Sequence, residues 1–362
     1  MADNAFSLAK SIRYQDDIES IDFSANNSLF DDIRFNLSLT SLKATKDLTP
    51  DIYDALFEVS TRLKLNIKLV EIFISSSSDI QAGCLSVDTN GCIITLNSSL
   101  VNLLTIDELQ FVIAHELGHF LLQHNRKNKD GSPESLISQR AMEISVDRIG
   151  LCGCKDLKTA ISAIMKLLSG LDENLLRFDI NSFLDQLNHD DPDATKKQQN
   201  LSTHPSLLLR AKSLVRFANS KPYQKLKNNM GGTNLSEIDN LIRKDLDFFM
   251  DSHYRDQEVA SKELVKFWLL VYALTKDGDL SKESQKLIVS KFGEEKKSKL
   301  IKMLKHSSKK QGIQLINKKL ISTIKKYKEL SPAKAKKELN SIIIEIEKVS
   351  DSDLLKEIQR IV

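Results

Sequence analysis

The sequence predicts an α+β, mainly helical protein, with a small, mostly antiparallel sheet and a histidine-bearing helix in its first part and an all-helical C-terminal part. Three observations predict it. Only 12 Gly and 6 Pro punctuate 362 residues, which favours long helices. Thr89-Asn90-Gly91 joins two apolar runs, AGCLSVD and CIITLN, a strong hairpin signal. Beyond residue 234 every apolar pattern has helical spacing. A chain of this length exceeds one core and predicts two or three domains. They are a helical lead-in over 1–48, a domain over 49–220, a linker at 221–234 rich in Pro, Gly and Asn, and a helical domain over 235–362 with basic C-terminal helices.

Taken in order, 1–48 is acidic with scattered apolar positions and no strong period. Thr49-Pro50 opens a helix to about Leu65, with Pro at its first position and Ile52, Leu56, Val59 and Leu63 on one face. IKLVEIFIS, 67–75, alternates as a strand and precedes the hairpin. Thr105 and Glu108 form a capping box for the helix that carries FVIAHELGHFLLQH, 111–124, which packs through Leu109, Val112, Ile113, Leu117 and Phe120. Helical patterns follow from about Ser135 to Cys152 and from Leu157 to Leu171. A polar loop spans 188–205, and helix resumes from Pro205 to about Ser220.

Composition excludes several classes. With 41% hydrophobic and 28% charged residues the chain is not a disordered one. The start, MADNAFSLAKSIRYQDD, lacks the pattern of a secretory leader, and the longest apolar run, 264–274, is short and carries Lys266, so no membrane span and a cytoplasmic location are expected. Cys84, Cys92, Cys152 and Cys154 form no CxxC pair and read as free thiols. The net charge of +3 conceals 13 Lys/Arg against 21 Asp/Glu in 1–150, and 17 against 6 in 291–348. The basic tail lacks interleaved aromatics, which argues for solvated lysine faces and against a nucleic-acid surface.

HELGH carries the chemistry. His115 and His119 are four apart on a helix and can offer two imidazoles to one metal ion, zinc being the expected one. Glu116 stands beside them, where a carboxylate can take a proton from water activated by the ion. Gly118 leaves room for a close approach. The next helix supplies a third ligand in Glu143, and Asp147, four residues on, can hold the ring N–H of a ligand histidine, His115 first among them. Taken alone, Glu143 and Asp147 would be a solvated helix face, and HExxH would arise by chance on the order of once in a hundred such chains. His124 falls outside the spacing and reads as a surface or helix-end residue.

HELGH, Glu143-Ile-Ser-Val-Asp147 and Thr203-His204-Pro205 with Arg210 resemble the zinc endopeptidases of the HtpX and CAAX prenyl protease type, which are gluzincins, over about residues 50–218. The resemblance implies a zincin-type catalytic domain in which His115, His119 and Glu143 bind one zinc ion and Glu116 is the general base. It also implies that His204 and Arg210 lie near the substrate carbonyl or the fourth metal position. There they could stabilise an oxyanion, or His204 could close the site as a fourth ligand; a plain helix entry before Pro205 would carry the same imidazole. The membrane helices of those relatives are absent. Residues 263–293 resemble the helical TerB-like domain, with Trp268, Phe267 and Tyr272 as core. The calcium-loop likeness of Asp277, Asp279, Ser281 and Glu283 fails at Lys282 and Ile288, leaving Asp279 or Ser281 as helix caps. The sequence thus predicts a soluble zinc-dependent endopeptidase with a protein or peptide substrate and a protein partner for its C-terminal domain. A noncatalytic, zinc-stabilised interaction protein is the alternative.

Overall fold

The computed structural model describes residues 2–17, 27–86, 88–127, 130–188, 202–275 and 280–350. Contacts divide the chain into two compact units, Met1–Asp130 with Ser135–Asp251, and Gly131–Glu134 with Ser252–Val362. The 221–234 segment, expected as a linker, belongs to the first unit. Ser220 caps a short helix, Lys221–Leu226, with Pro222 in its first turn, and Gly231 and Gly232 adopt positive φ so that Thr233 bonds back to Asn219 and Lys221.

In the first unit α1 (Ala2–Ile12) and α2 (Asn27–Thr40) precede a short strand, β1 (Leu42–Lys43). The lead-in proves part of the core, because Ala5, Ala9 and Ile12 are buried on one face of α1 and Phe6 meets the Phe120 ring edge-on at 5.5 Å. Small residues on that face let the helix lie close to α5. Pro50 starts α3 (Pro50–Leu63), which ends where Lys64 turns left-handed. A short 3₁₀ turn, Ile67–Leu69, then leads into β2 (Val70–Ser75).

The hairpin strands are β3 (Ala82–Ser86) and β4 (Cys92–Asn97), and the sheet order is β1-β2-β4-β3. The sheet is mixed: β4 pairs in parallel with β2, while β1–β2 and β3–β4 are antiparallel. Its most buried strand, β4, takes a central place, whereas β3, with Gly83 and partly exposed Cys84, is left at one edge. The four thiols are free, and Cys92 and Cys154 are buried.

After α4 (Ser98–Leu103), Thr105 and Glu108 form the capping box of α5 (Ile106–Leu121). Glu108 does more than cap. Its carboxylate also accepts from Ser162 and Lys166 of α7 (Leu157–Ser169), fixing α7 beside α5. Between them in sequence, α6 (Pro133–Gly153) is buried along most of its length. It crosses α5 at a point where side chains are missing. A Cβ on Gly118 would stand 2.9 Å from Val146, and one on Gly150 would stand 2.8 Å from the Phe111 ring. The close approach expected at Gly118 is thus made by α6. Later helices of this unit are α8 (Ile180–Asp185), α9 (Leu207–Ala218, capped by Ser206), α10 (Lys221–Leu226) and α11 (Leu235–Leu246).

The second unit has its own core. Its helices are α12 (Ser252–Leu274), α13 (Lys282–Phe292), α14 (Glu294–Leu304), α15 (Lys309–Leu330) and α16 (Pro332–Ser350). On α15, Ile316, Leu320, Ile324 and Tyr327 face inward at helical spacing, and Lys318, Lys319, Lys325 and Lys326 are exposed. Phe267 is buried, with Trp268 and Tyr272 packed against the same core. Ser281 caps α13 by accepting from the Ser284 amide; Asp277 and Asp279 lie outside the described residues.

The crossing of α5 and α6 predicts that Gly118→Ala is net destabilising, because overpacking against Val146 costs about 1–3 kcal/mol and outweighs the roughly 1 kcal/mol gained in helix propensity. Equilibrium urea unfolding measures it, and a stability equal to or above wild type would show that α6 can yield at no cost.

Candidate active site

The four-residue spacing on α5 sets His115 and His119 one above the other, with ring centroids 5.2 Å apart. Glu143 reaches both from α6: its carboxylate oxygens lie 3.7 Å from His115 Nε2 and 3.6 Å from His119 Nε2. Those gaps are too long for hydrogen bonds. A cation bound tetrahedrally at about 2.0–2.1 Å sets its ligands roughly 3.3–3.4 Å apart, so the donor set fits one such ion with small adjustments. Among the described residues these three groups form the mutually close metal-type set, with all ligand atoms within 4.8 Å of one another. Glu116 is buried next to them and lines the same cleft, of about 460 Å³, with Gly83 and Cys84 of β3 and His204, Leu207 and Arg210 beyond.

Hydrogen bonds orient the donors. His115 Nδ1 lies 3.0 Å from Asp147 Oδ1, and Arg210 from α9 grips Asp147 with Nε at 2.8 Å and Nη2 at 2.7 Å. Burial alone would push the Asp147 carboxyl up, but Arg210 and His115 outweigh it and hold its pKa at about 2. An ionised Asp147 only accepts, so its 3.0 Å approach sets the hydrogen of His115 on Nδ1 and the lone pair on Nε2, toward Glu143; the 3.3 Å approach of Arg210 Nη2 to the same nitrogen is then a contact and not a hydrogen bond. Arg210 Nη1 also stands 3.2 Å from Glu143 Oε2. That guanidinium, 13% exposed, is therefore committed to two carboxylates.

Glu116 shifts the other way. Burial, with Glu143 adding to it and His115 and Arg210 opposing, raises its carboxyl to about 6. Three buried carboxylates face one guanidinium, an excess of two negative charges when all are ionised, which a dication would balance. For His115, burial disfavours the charged ring, yet the hydrogen bond to Asp147 and the nearby carboxylates raise its pKa, so protons compete with a metal ion as the pH falls.

His204 stands apart from the mutually close set. Its Nε2 is 3.4 Å from Glu143 Oε1 and its Nδ1 2.7 Å from Thr203 Oγ1, while the side chain is 60% exposed. It sits in the turn before Ser206, the residue that caps α9, so the helix does not begin at Pro205.

Two groups escaped the sequence reading. His124, expected at the surface, is 1% exposed, because Gln123 adopts a left-handed conformation (φ 55) and reverses the chain beneath α5. Its ring meets His119 on one side and Asp17 on the other, each at 3.0 Å. No local spacing signals Asp17, which stands 107 residues away in a stretch without strong periodicity.

Arg210→Leu leaves Glu143 and Asp147 buried without their cation and is expected to cost about 3–5 kcal/mol at pH 7. In wild type, the Asp147 contribution, about 2 kcal/mol, is fully present above the unfolded carboxylate pKa near 4 and is lost as the pH falls toward 2. The variant, lacking the depressed pKa, should lose less over that window. Parallel urea titrations at pH 7, 4 and 3 measure both, and equal acid sensitivity of the two proteins would contradict the assigned role of Arg210.

The model of Peptidase family M48 matches residues 50–132, a stretch that includes HELGH and stops before Glu143. The chain is also similar to the plastoglobule-localized metallopeptidase 48, chloroplastic, of Arabidopsis thaliana, 26% identical over 216 residues, with 52% of this chain and 62% of that protein covered. The match thus spans less than two thirds of that relative's length. No solved structure matches the chain. The family match covers the helix that bears His115, Glu116 and His119, and the relative is named as a metallopeptidase.

Proposed function

We propose that the protein is a zinc-dependent endopeptidase of the HtpX and CAAX prenyl protease type, in which His115, His119 and Glu143 hold one zinc ion. The observation that carries the reading is the convergence of two imidazole Nε2 atoms and the Glu143 carboxylate beside a buried acid, Glu116, in an open cleft. Zinc bound there supplies the Lewis acidity that makes water a nucleophile near neutral pH. Glu116 accepts the proton of the attacking water and delivers it to the departing amide nitrogen. A carboxyl held near 6 by burial is suited to both halves of that exchange.

Arg210 acts by holding Glu143 and Asp147 in place, its donors being directed at those carboxylates. In this reading His204, exposed at the cleft and bonded to Thr203, donates Nε2–H to the oxygen of the carbonyl under attack. An extended peptide is the substrate form that fits: β3 ends the sheet, and its residues Ala82, Gly83 and Cys84 line the cleft, so a peptide can add as a further strand. The second unit, through its TerB-like helices, recruits the protein substrate. Among the described residues no helix is long and apolar enough to cross a membrane. A cytoplasmic site of action remains part of this proposal, beside a relative named for chloroplast plastoglobules.

Glu116→Gln distinguishes an enzyme from a noncatalytic zinc-stabilised protein. Cleavage of unfolded casein should fall by at least about 10²-fold while metal content stays that of wild type. Equal cleavage by the two proteins would sink the assignment. Because Glu116 must be ionised to accept a proton, kcat/KM falls as the pH drops through its pKa. A bound dication can only lower that value, so the acid limb lies at or below about pH 6.

A further inference from the structure

The two histidines of HELGH are held by different parts of the chain. His115 is held by Asp147 of the neighbouring helix. His119 is held by a line of groups that runs away from the cleft: its Nδ1 lies 3.0 Å from His124 Nδ1, and His124 Nε2 lies 3.0 Å from Asp17 Oδ2. Lys127 bonds the other oxygen of Asp17. Asp17 and His124 are each 1% exposed, so no water competes freely for these bonds.

We propose that Asp17 and His124 are positioning residues for His119, making the N-terminal segment part of the metal centre. The inference rests on the reading of His115, His119 and Glu143 as zinc ligands. Asp17, paired with Lys127, is an acceptor only, so the hydrogen it receives must be that on His124 Nε2. A neutral His124 then has its lone pair on Nδ1, which can only accept. The facing nitrogen, His119 Nδ1, must donate, and the lone pair of His119 is left on Nε2, the atom that faces Glu143. Each step follows from the one before, and together they select one tautomer and one ring plane. Carboxylates that fix a ligand imidazole in this way typically contribute about 10- to 100-fold in metal affinity. Here the carboxylate acts through a second imidazole and arrives from residue 17, so docking of the segment after α1 and metal affinity are linked.

The test is zinc affinity, measured by competition with a chromophoric chelator, together with the thermal midpoint of each metal-free protein. His124→Leu removes both hydrogen bonds and should weaken zinc about 10- to 100-fold. His124→Gln keeps an acceptor for His119 and a donor for Asp17 and should restore most of that loss. Asp17→Asn, which disturbs packing least, should weaken zinc in the same direction by less. Only variants whose metal-free midpoint matches wild type are compared. Wild-type affinity in His124→Leu, or in Asp17→Asn if the leucine variant does not fold, would overturn the proposal. So would a glutamine variant as weak as the leucine one. A wild-type chain that takes up no zinc overturns the zinc reading along with it, whereas tight zinc in wild type and variants alike overturns this line alone.

Discussion

The distance between α5 and α6 is the constraint on which the site depends. It is set by absent side chains: Gly118 under Val146, and Gly150 against Phe111. Two helices this close can pass a carboxylate from one to the imidazoles of the other without either backbone bending. Any Cβ at the crossing would have to lift α6, and Glu143, near the N-terminal side of that crossing, would withdraw from gaps that are already 3.6 and 3.7 Å. Helix faces repeat every four residues, so the same approach that delivers Glu143 also delivers Asp147 beneath His115. One packing decision therefore yields both a donor and the group that orients its neighbour.

Such packing buries charge, and the neighbourhood sorts that charge by its partners. Glu116 and Asp147 share the same low-dielectric surroundings, yet their acidities move in opposite directions. Desolvation is the largest single cause for both; for Asp147 the charge and hydrogen bonds of Arg210 and His115 together outweigh it, whereas for Glu116 the opposing charges of His115 and Arg210 do not. A permanently ionised group that orients, beside one whose proton can come and go, is the division of labour expected where one carboxylate is structural and the other exchanges protons. Arg210 serves both the orienting carboxylate and Glu143. Its removal would therefore disturb fold and site together, which is why its effect is read most directly in stability.

Much of this was legible in the sequence because it is local. The Thr105–Glu108 box and the four-residue spacings of His115 with His119 and of Glu143 with Asp147 each state their geometry within a few residues, and Asn90-Gly91 marks the hairpin pairing of β3 with β4, though neither residue adopts the positive φ of a tight Asn-Gly turn. The parallel pairing of β2 with β4 is not local, and nothing in IKLVEIFIS or CIITLN names its neighbour. The division at Asp251 and Ser252 falls where no Gly or Pro marks a break, whereas the Gly231-Gly232 pair that does look like a break closes a turn on Asn219 and Lys221. Arg210 was singled out by resemblance alone; its bidentate hold on Asp147 spans 63 residues and leaves no trace in spacing.

His124 shows why a residue beyond a motif can still belong to its chemistry. Helical continuation would have carried position 124 well around the axis from His119. The helix instead stops at Leu121, and a left-handed Gln123, a conformation that costs a non-glycine residue of order 1 kcal/mol, folds the next residue back under the last turn. A buried imidazole placed there needs acceptors and donors of its own, and the 3₁₀ turn that follows sets Lys127 beside it to share Asp17. The segment bearing Asp17 is in turn fixed by Arg148, which reaches the Ile12 carbonyl and lies against the Tyr14 and Phe217 rings, and by Ser145, which accepts from the Tyr14 amide. Both of those residues lie on α6, within five positions of Glu143. The helix that offers the carboxylate thus also anchors the strand of chain that steadies the opposite histidine, and the two sides of the donor set are tied through one element.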